Sequence, residues 1–127
     1  MTNLSVGHFM TILPQTVGEG ATLDKAKELM QATECHHLPV LQGGQLVGVI
    51  SSNDLNLMLL TSKSTTAKVK DIMSLEPKVV QPELSVKKVA TMMLEEKIGS
   101  VIVQGKDTQP WGIFTTTDAL KVVAHLA

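Results

Sequence analysis

Two short motifs carry the side chains of this sequence that are best suited to binding chemistry. Ser51-x-x-Asp54 and Thr115-x-x-Asp118 each place a hydroxyl and a carboxylate three positions apart, between a strand-like apolar run and a helix-like one. Backbone N–H groups are unpaired where a helix begins, and with a hydroxyl they suit phosphate oxygens. A carboxylate can accept two hydrogen bonds, which suits a ribose diol. The motifs favour a nucleoside or nucleotide site; the alternative is that both Asp residues are simply helix N-caps.

The residues around the first motif predict the elements that hold it. Leu38 to Leu41 is a short apolar run, Gly43-Gly44 supplies the positive φ angles of a tight hairpin turn, and Leu46 to Ile50 is the return strand. Ser51 to Asp54 then offers capping groups where a helix, Leu55 to Leu60, is expected. We therefore predict that a β-hairpin presents this motif at a strand-to-helix junction.

The residues before the hairpin predict three further elements. Val6 to Thr11 suits a brief helical turn, which Pro14 closes because proline cannot continue a helix. Thr16-Val17 suits a short extended segment. Thr22 is a good N-cap for a helix that runs to about Thr33, with its apolar residues on one face.

The second half of the chain repeats this order of elements. Pro77 mirrors Pro14 at an offset of sixty-three positions, and the residues from Gly112 to Asp118 mirror those from Gly48 to Asp54 at sixty-four, since the second turn has one extra residue. The repeat predicts helices from Val86 to Glu96 and from Ala119 to Leu126, and a strand at residues 101–103.

A unit of about sixty residues leaves one face of its sheet uncovered, so two copies are expected to pair. We predict an α/β (α+β) fold in which tandem β-α-β-β-α repeats are related by pseudo-two-fold symmetry, with a cleft between them that is a natural ligand site. The predicted boundaries are residues 1–62 for the first repeat, 63–68 for a linker and 69–127 for the second repeat.

Composition excludes several classes of function. The chain has 127 residues, 43% of them hydrophobic, and a net charge of −1, so it lacks the basic surface that non-specific nucleic-acid or membrane binding requires. Its single cysteine, Cys35, excludes an internal disulfide framework and a Cys-based zinc site. We expect a cytoplasmic protein, because the N-terminus lacks a signal-peptide pattern and no apolar run is long enough for a membrane span.

The repeated Gly-φ-φ-Ser/Thr-x-x-Asp motif (φ here an apolar residue), preceded in the first repeat by His36-His37-Leu38-Pro39-Val40, closely resembles the CBS domain. The resemblance covers nearly the whole chain, and two such repeats resemble one Bateman module with no catalytic or transport domain attached. It implies that each Asp anchors a ribose, that the preceding Ser or Thr contacts ribose or phosphate, and that apolar and backbone groups hold adenine.

The resemblance also implies that each ligand site combines residues from both repeats. We favour one site because it has two histidines that could face phosphates. The favoured site comprises Thr16, Val17, Cys35, His36, His37, Ile113, Thr115, Thr117 and Asp118. The second site comprises Val79, Val80, Ile98, Gly99, Ser100, Val49, Ser51, Asn53 and Asp54.

The residue at position 37 departs from the family pattern. Nucleotide-sensing members often have His-Arg where this chain has His36-His37, and imidazole lacks a permanent charge, since it ordinarily titrates near about pH 6.5. We therefore expect phosphate affinity at the favoured site to rise on acidification. The second site has Gly99-Ser100 instead, so we expect it to hold a nucleoside or a weakly bound monophosphate.

A metal site and an enzyme are the less favoured interpretations. His36 and His37 could join His8 or His125 around a metal ion, but adjacent strand residues point to opposite faces. Cys35 lacks a positioned catalytic partner other than these histidines, which favours a small buried residue over a nucleophile. We predict no metal, no required cofactor and no enzymatic activity.

We predict a regulatory module that binds an adenosine-containing ligand such as AMP, ADP or ATP and transmits its state to an unidentified regulated protein. Helices Leu55 to Leu60 and Ala119 to Leu126 are amphipathic, and family resemblance implies a homodimer through such helices. No nucleic-acid or membrane partner is expected. The alternative is a dimerisation or scaffold module whose cleft binds no ligand.

Overall fold

A computed structural model of the chain describes residues 4–61, 66–105 and 111–126. The backbone divides into two compact units, residues 13–77 in one and residues 1–12 with 78–127 in the other. The predicted linker at 63–68 and the extra turn residue of the second repeat lie at least partly outside the described residues.

In chain order the elements are α1 (Val6–Phe9), β1 (Thr11–Leu13), β2 (Val17–Gly18), α2 (Leu23–Thr33), β3 (His37–Gln42), β4 (Gln45–Ser51), α3 (Ser52–Leu59), α4 (Val69–Ile72), β5 (Ser74–Leu75), β6 (Val79–Val80), α5 (Val86–Glu96), β7 (Ser100–Val103), β8 (Trp111–Thr115) and α6 (Thr116–Leu126).

Each unit contains one four-stranded mixed sheet. The strand order is β2-β3-β4-β5 in the unit formed by residues 13–77 and β1-β8-β7-β6 in the other unit. A central antiparallel pair, β3 with β4 or β7 with β8, is flanked in each sheet by a parallel two-residue strand, β2 or β6. The predicted mixed α/β (α+β) class is confirmed.

The opening helix of each repeat packs in the unit that contains the body of the other repeat. In one unit the Val6 N–H, at the start of α1, donates to the Leu84 carbonyl at 2.8 Å. In the other unit the Val69 N–H, at the start of α4, donates to the Ala21 carbonyl at 3.0 Å. Both valines are fully buried. The strands that follow, β1 and β5, join the same sheets, so each unit is completed by a helix and strand from the other repeat.

The two hydrophobic cores are aliphatic except for Phe114, and all but one of the nine residues in each core correspond by position in the repeat. Met30 and Met93, on the inner faces of α2 and α5, are both 5% exposed, as expected for methionine that fills a core. One core contains Val17, Leu23, Ala26, Met30, Leu38, Val40, Ile50, Leu55 and Val69. The other contains Val6, Val80, Val86, Val89, Met93, Val101, Val103, Phe114 and Val122.

The hairpin and the long helices follow the sequence predictions closely. The Thr22 hydroxyl accepts a hydrogen bond from the Lys25 N–H at 3.1 Å, so Thr22 is the N-cap of α2 as predicted. Helix α3 begins at Ser52 rather than at Leu55, because Ser51 is the N-cap and its hydroxyl accepts the Asp54 N–H. The predicted helical turn from Val6 to Thr11 is too long, since α1 ends at Phe9 and β1 follows.

Among the described residues, no helix combines the length and the apolar character that crossing a bilayer requires.

Candidate ligand-binding site

The first motif lies where the β3–β4 hairpin opens into α3. His37, at the start of β3, pairs with Ser51 at the end of β4. The Ser52 N–H donates to the His36 carbonyl at 2.8 Å, which holds the start of α3 against the start of β3. The structure therefore brings the predicted histidine segment beside Ser51 and Asp54 within one unit.

The second motif has the same arrangement in the other unit. Ser100, at the start of β7, pairs with Thr115 at the end of β8. The Thr116 N–H donates to the Gly99 carbonyl at 3.2 Å, and the Thr115 hydroxyl accepts the Asp118 N–H at 3.2 Å. Both motifs therefore cap the helix that follows, but the capping residue is Ser51 or Thr115 and not the aspartate that the N-cap interpretation assigned.

The Asp118 carboxylate is buried and extensively hydrogen-bonded. Asp118 is only 3% exposed. Oδ2 accepts the Thr115 N–H at 2.9 Å and the Thr115 hydroxyl at 3.1 Å, while Oδ1 accepts the Thr11 hydroxyl at 3.0 Å. These donors are all neutral, so hydrogen bonds rather than an ion pair offset the cost of burying this carboxylate.

Asp54 occupies the equivalent position but has a different environment. It is exposed, and its carboxylate accepts no hydrogen bond from any part of the chain that the structure describes. Ser74, which corresponds to Thr11 in the repeat, is exposed in β5 and makes no side-chain hydrogen bond within the described ranges. The two motifs are alike in sequence but present different carboxylates.

The other predicted site residues are distributed over both units. Some are strand residues with buried side chains, and others lie at element ends where solvent reaches them. Val17, Val49, Val80 and Ile113 are buried; Thr16, Cys35, Ile98 and Ser100 are half-buried; His36, Asn53, Val79, Gly99 and Thr117 are exposed. Because each predicted site combines residues of both units, the assembly of either complete set stays a prediction.

His36 lines an open groove between α2 and α3 rather than the hairpin face. Its Nδ1 lies 3.3 Å from the Ser52 hydroxyl. Met30 and Leu55 contribute apolar surface to this groove, whose volume is about 510 Å³. Cys35 also lines it, with its Sγ donating to the Thr33 carbonyl at 3.4 Å. The described residues include no group of three potential metal ligands.

Thr11 is the residue at the second motif that the sequence did not single out. It lies 107 positions from Asp118 and belongs to no recognisable motif. The repeat alignment offered one signal, because Thr11 and Ser74 are both hydroxyl residues that follow the aligned methionines Met10 and Met73.

Comparison with known proteins places the chain in a family. Residues 6–60 and 69–125 each match the model of the CBS domain, and the chain belongs to this family. The resemblance inferred from the repeated motifs is therefore confirmed.

Solved structures of the family share the fold over almost the full chain. CBSX2 from Arabidopsis thaliana, solved in complex with AMP, is 30% identical with a TM-score of 0.71, and the match covers 97% of this chain and 98% of that one. A candidate acetoin utilization protein (AcuB) from Vibrio cholerae is also 30% identical, with a TM-score of 0.72 and coverage of 97% and 92%.

Curated relatives are larger proteins. Inosine-5′-monophosphate dehydrogenase of Korarchaeum cryptofilum is 27% identical over 110 residues, which are 87% of this chain and 22% of the enzyme. The chain spans between 20% and 25% of the length of the curated relatives it matches. These matches therefore cover the CBS part of those enzymes and not the remainder of their chains.

Proposed function

We propose that the chain is a regulatory module that binds an adenosine-containing nucleotide. One observation carries the proposal: each repeat places a hydroxyl and a carboxylate at the start of a helix, in a chain 30% identical to a protein solved with AMP. A carboxylate is the acceptor that a ribose diol requires, and helix N-termini favour phosphate. Nothing in this chemistry requires a catalytic step, so the proposed module is not an enzyme.

The proposed sites are the two sets predicted from sequence, with Asp118 and Asp54 as ribose anchors. The site with Asp118 also includes His36 and His37, and it is the one proposed to hold phosphate more tightly. Imidazole lacks a permanent charge, so phosphate affinity at this site is proposed to rise on acidification. The site with Asp54 has Gly99 and Ser100 in place of the histidines and is proposed to prefer a nucleoside.

A second copy of the chain is the proposed partner for the exposed helix faces. On α6, Leu120, Val123 and Leu126 are 69%, 64% and 49% exposed at three-residue spacing. On α3 and just after it, Leu57 and Leu60 are 61% and 85% exposed. Apolar stripes of this kind favour burial against another helix. Analytical ultracentrifugation should give twice the 13.7 kDa monomer mass, and Val123→Glu should lower it.

A ligand-independent scaffold is the alternative that one observation favours. The Asp118 carboxylate accepts three hydrogen bonds from the protein itself, so this site is satisfied without a ligand. In that case the module would contribute an association surface alone.

Isothermal titration calorimetry distinguishes the two functions. AMP, ATP and S-adenosylmethionine are titrated separately into the intact chain, with GMP as the control for the base and adenine for the ribose. Saturable heat with an adenosine compound, together with a raised melting temperature, supports the proposed function. The absence of both with all three compounds supports the scaffold.

For the binding function, Asp118→Ala should abolish the AMP-dependent rise in melting temperature, and Asp54→Ala should reduce it less. Both variants need a circular dichroism spectrum first, since Asp118 is buried. Equal losses would contradict the proposed difference between the sites.

A further inference from the structure

We infer that Thr11 belongs to the Asp118 site and competes there with a hydroxyl of the ligand. This inference deepens the proposed function and rests on it. The Thr11 hydroxyl donates to Asp118 Oδ1 at 3.0 Å, and so occupies one acceptor site of the proposed ribose anchor.

Hydrogen-bond capacity requires this competition. An ionised carboxylate has about four lone-pair sites, and three of those on Asp118 are already used. A ribose diol brings two donors, which leaves the carboxylate one acceptor short. One internal donor must therefore leave before both ribose hydroxyls can bind.

Thr11 is the donor that can leave most easily. The two bonds from Thr115 are local, since its backbone N–H and hydroxyl lie three positions from Asp118 in the same turn. Thr11 comes from a different strand, β1, and its side chain is exposed, so its hydroxyl can turn to water after release. Breaking the Thr11 bond leaves the cap of α6 intact.

Among the described residues, the Asp54 carboxylate has no equivalent competitor. Ser74 occupies the corresponding position but does not hydrogen-bond to the Asp54 carboxylate in the described structure, and Asp54 is exposed. Ser74 therefore provides a matched control for Thr11.

The test is AMP titration of Thr11→Val in an Asp54→Asn background, so that the measured Kd is that of the Asp118 site. Valine keeps the shape of threonine and removes its donor. We expect Kd for AMP to fall by about tenfold or more, which corresponds to the net worth of one hydrogen bond to a charged acceptor. Thr11→Ser, which keeps the hydroxyl, and Ser74→Ala should leave Kd unchanged.

The ligand itself supplies a second control. The 5′-monophosphate of 2′,3′-dideoxyadenosine has no ribose hydroxyl to occupy the vacated position, so Thr11→Val should not change its affinity. If Thr11→Val does not fold, Thr11→Ala removes the same donor.

The outcomes separate this inference from the proposed function. Binding of AMP with an unchanged or higher Kd in Thr11→Val overturns the role of Thr11 alone. The same gain in affinity for the dideoxy compound also overturns it. No binding of AMP, ATP or S-adenosylmethionine by the intact chain or by any variant overturns the proposed function, and the role of Thr11 with it. Binding only after Thr11→Val supports both.

Discussion

Asp54 and Asp118 show that two residues in equivalent positions of a repeat can have different physical roles. Asp118 is 3% exposed and stabilises its own helix start through Thr115. Asp54 is exposed and leaves the capping of α3 to the Ser51 hydroxyl. The buried carboxylate therefore contributes to stability, whereas the exposed one has its acceptors available.

Asparagine substitution should separate these roles in the absence of any ligand. Asp118→Asn replaces one buried acceptor oxygen with an amide donor that faces the donors of Thr11 or Thr115, and it should lower the free energy of unfolding by about 1 to 3 kcal/mol. Asp54→Asn changes an exposed group and should stay within about 0.5 kcal/mol. Urea denaturation measures both values. Similar losses in the two variants would mean that Asp118 is not held as described.

At the residue scale, sequence reasoning finds local contacts and misses distant ones. The hydrogen bonds within each Ser/Thr-x-x-Asp motif were predictable, because residue type and a spacing of three define an N-cap. The Thr11 hydrogen bond was not, because it joins residues 107 positions apart. Whether the carboxylate of such a motif has acceptor sites available for a ligand depends on its tertiary hydrogen-bond partner, which no local pattern encodes.

At the scale of elements, a glycine in each sheet accommodates a methionine from the opening segment of the other repeat. A Cβ on Gly48 would lie 2.7 Å from Met73 Sδ and 2.8 Å from the Ser74 carbonyl oxygen. A Cβ on Gly112 would collide only with side-chain atoms of Met10. The first collision involves the backbone of a paired strand, and the second involves a flexible thioether.

Alanine at these glycines should therefore have unequal effects. Gly48→Ala should cost about 1 to 3 kcal/mol of unfolding free energy, because β5 must move, whereas Gly112→Ala should cost less because Met10 can change rotamer. Gly20→Ala is the control, since its Cβ would meet nothing within 4 Å. Chemical denaturation of the three variants provides the comparison, and a larger loss for Gly112→Ala would contradict the described packing.

The elements that sequence predicted well are those with enough residues to show a period. Helices α2 and α5 end within a residue of the predicted positions. Strands β1 and β5 were missed because two or three residues cannot display alternation. The sequence also lacks the usual signal for the ends of α2 and α5. Glu34 and Lys97 adopt the left-handed conformation there, whereas glycine is the common residue at such positions.

At the scale of the whole molecule, the compact units do not coincide with the segments that repeat in sequence. The chain passes from one unit to the other near residue 13 and near residue 77. Pattern matching aligns residues 6–60 with residues 69–125 and so describes the duplication. It cannot indicate in which unit the first helix and strand of each repeat pack, because the two units offer similar positions.

Fragments cut by the two schemes should differ in stability. Residues 13–77 include α4 and β5, which complete that unit, whereas residues 1–62 replace them with α1 and β1 of the other unit. Loss of the buried Val69 and of its hydrogen bond to Ala21 should lower the unfolding free energy by a few kcal/mol. For a domain of this size this lowers the melting temperature by roughly 10 °C or more. Circular dichroism melting compares the fragments, and an equal or higher midpoint for 1–62 would refute this expectation.

The crossed placement of α1 and α4 bears on how such a gene could arise. A half-length polypeptide, with one opening segment and one body, could build both units only by trading segments with an identical molecule, as in a domain-swapped dimer. Duplication and end-to-end fusion of that gene would place the two partners in a single polypeptide. Their association would then no longer depend on cellular concentration, because the tether makes it intramolecular.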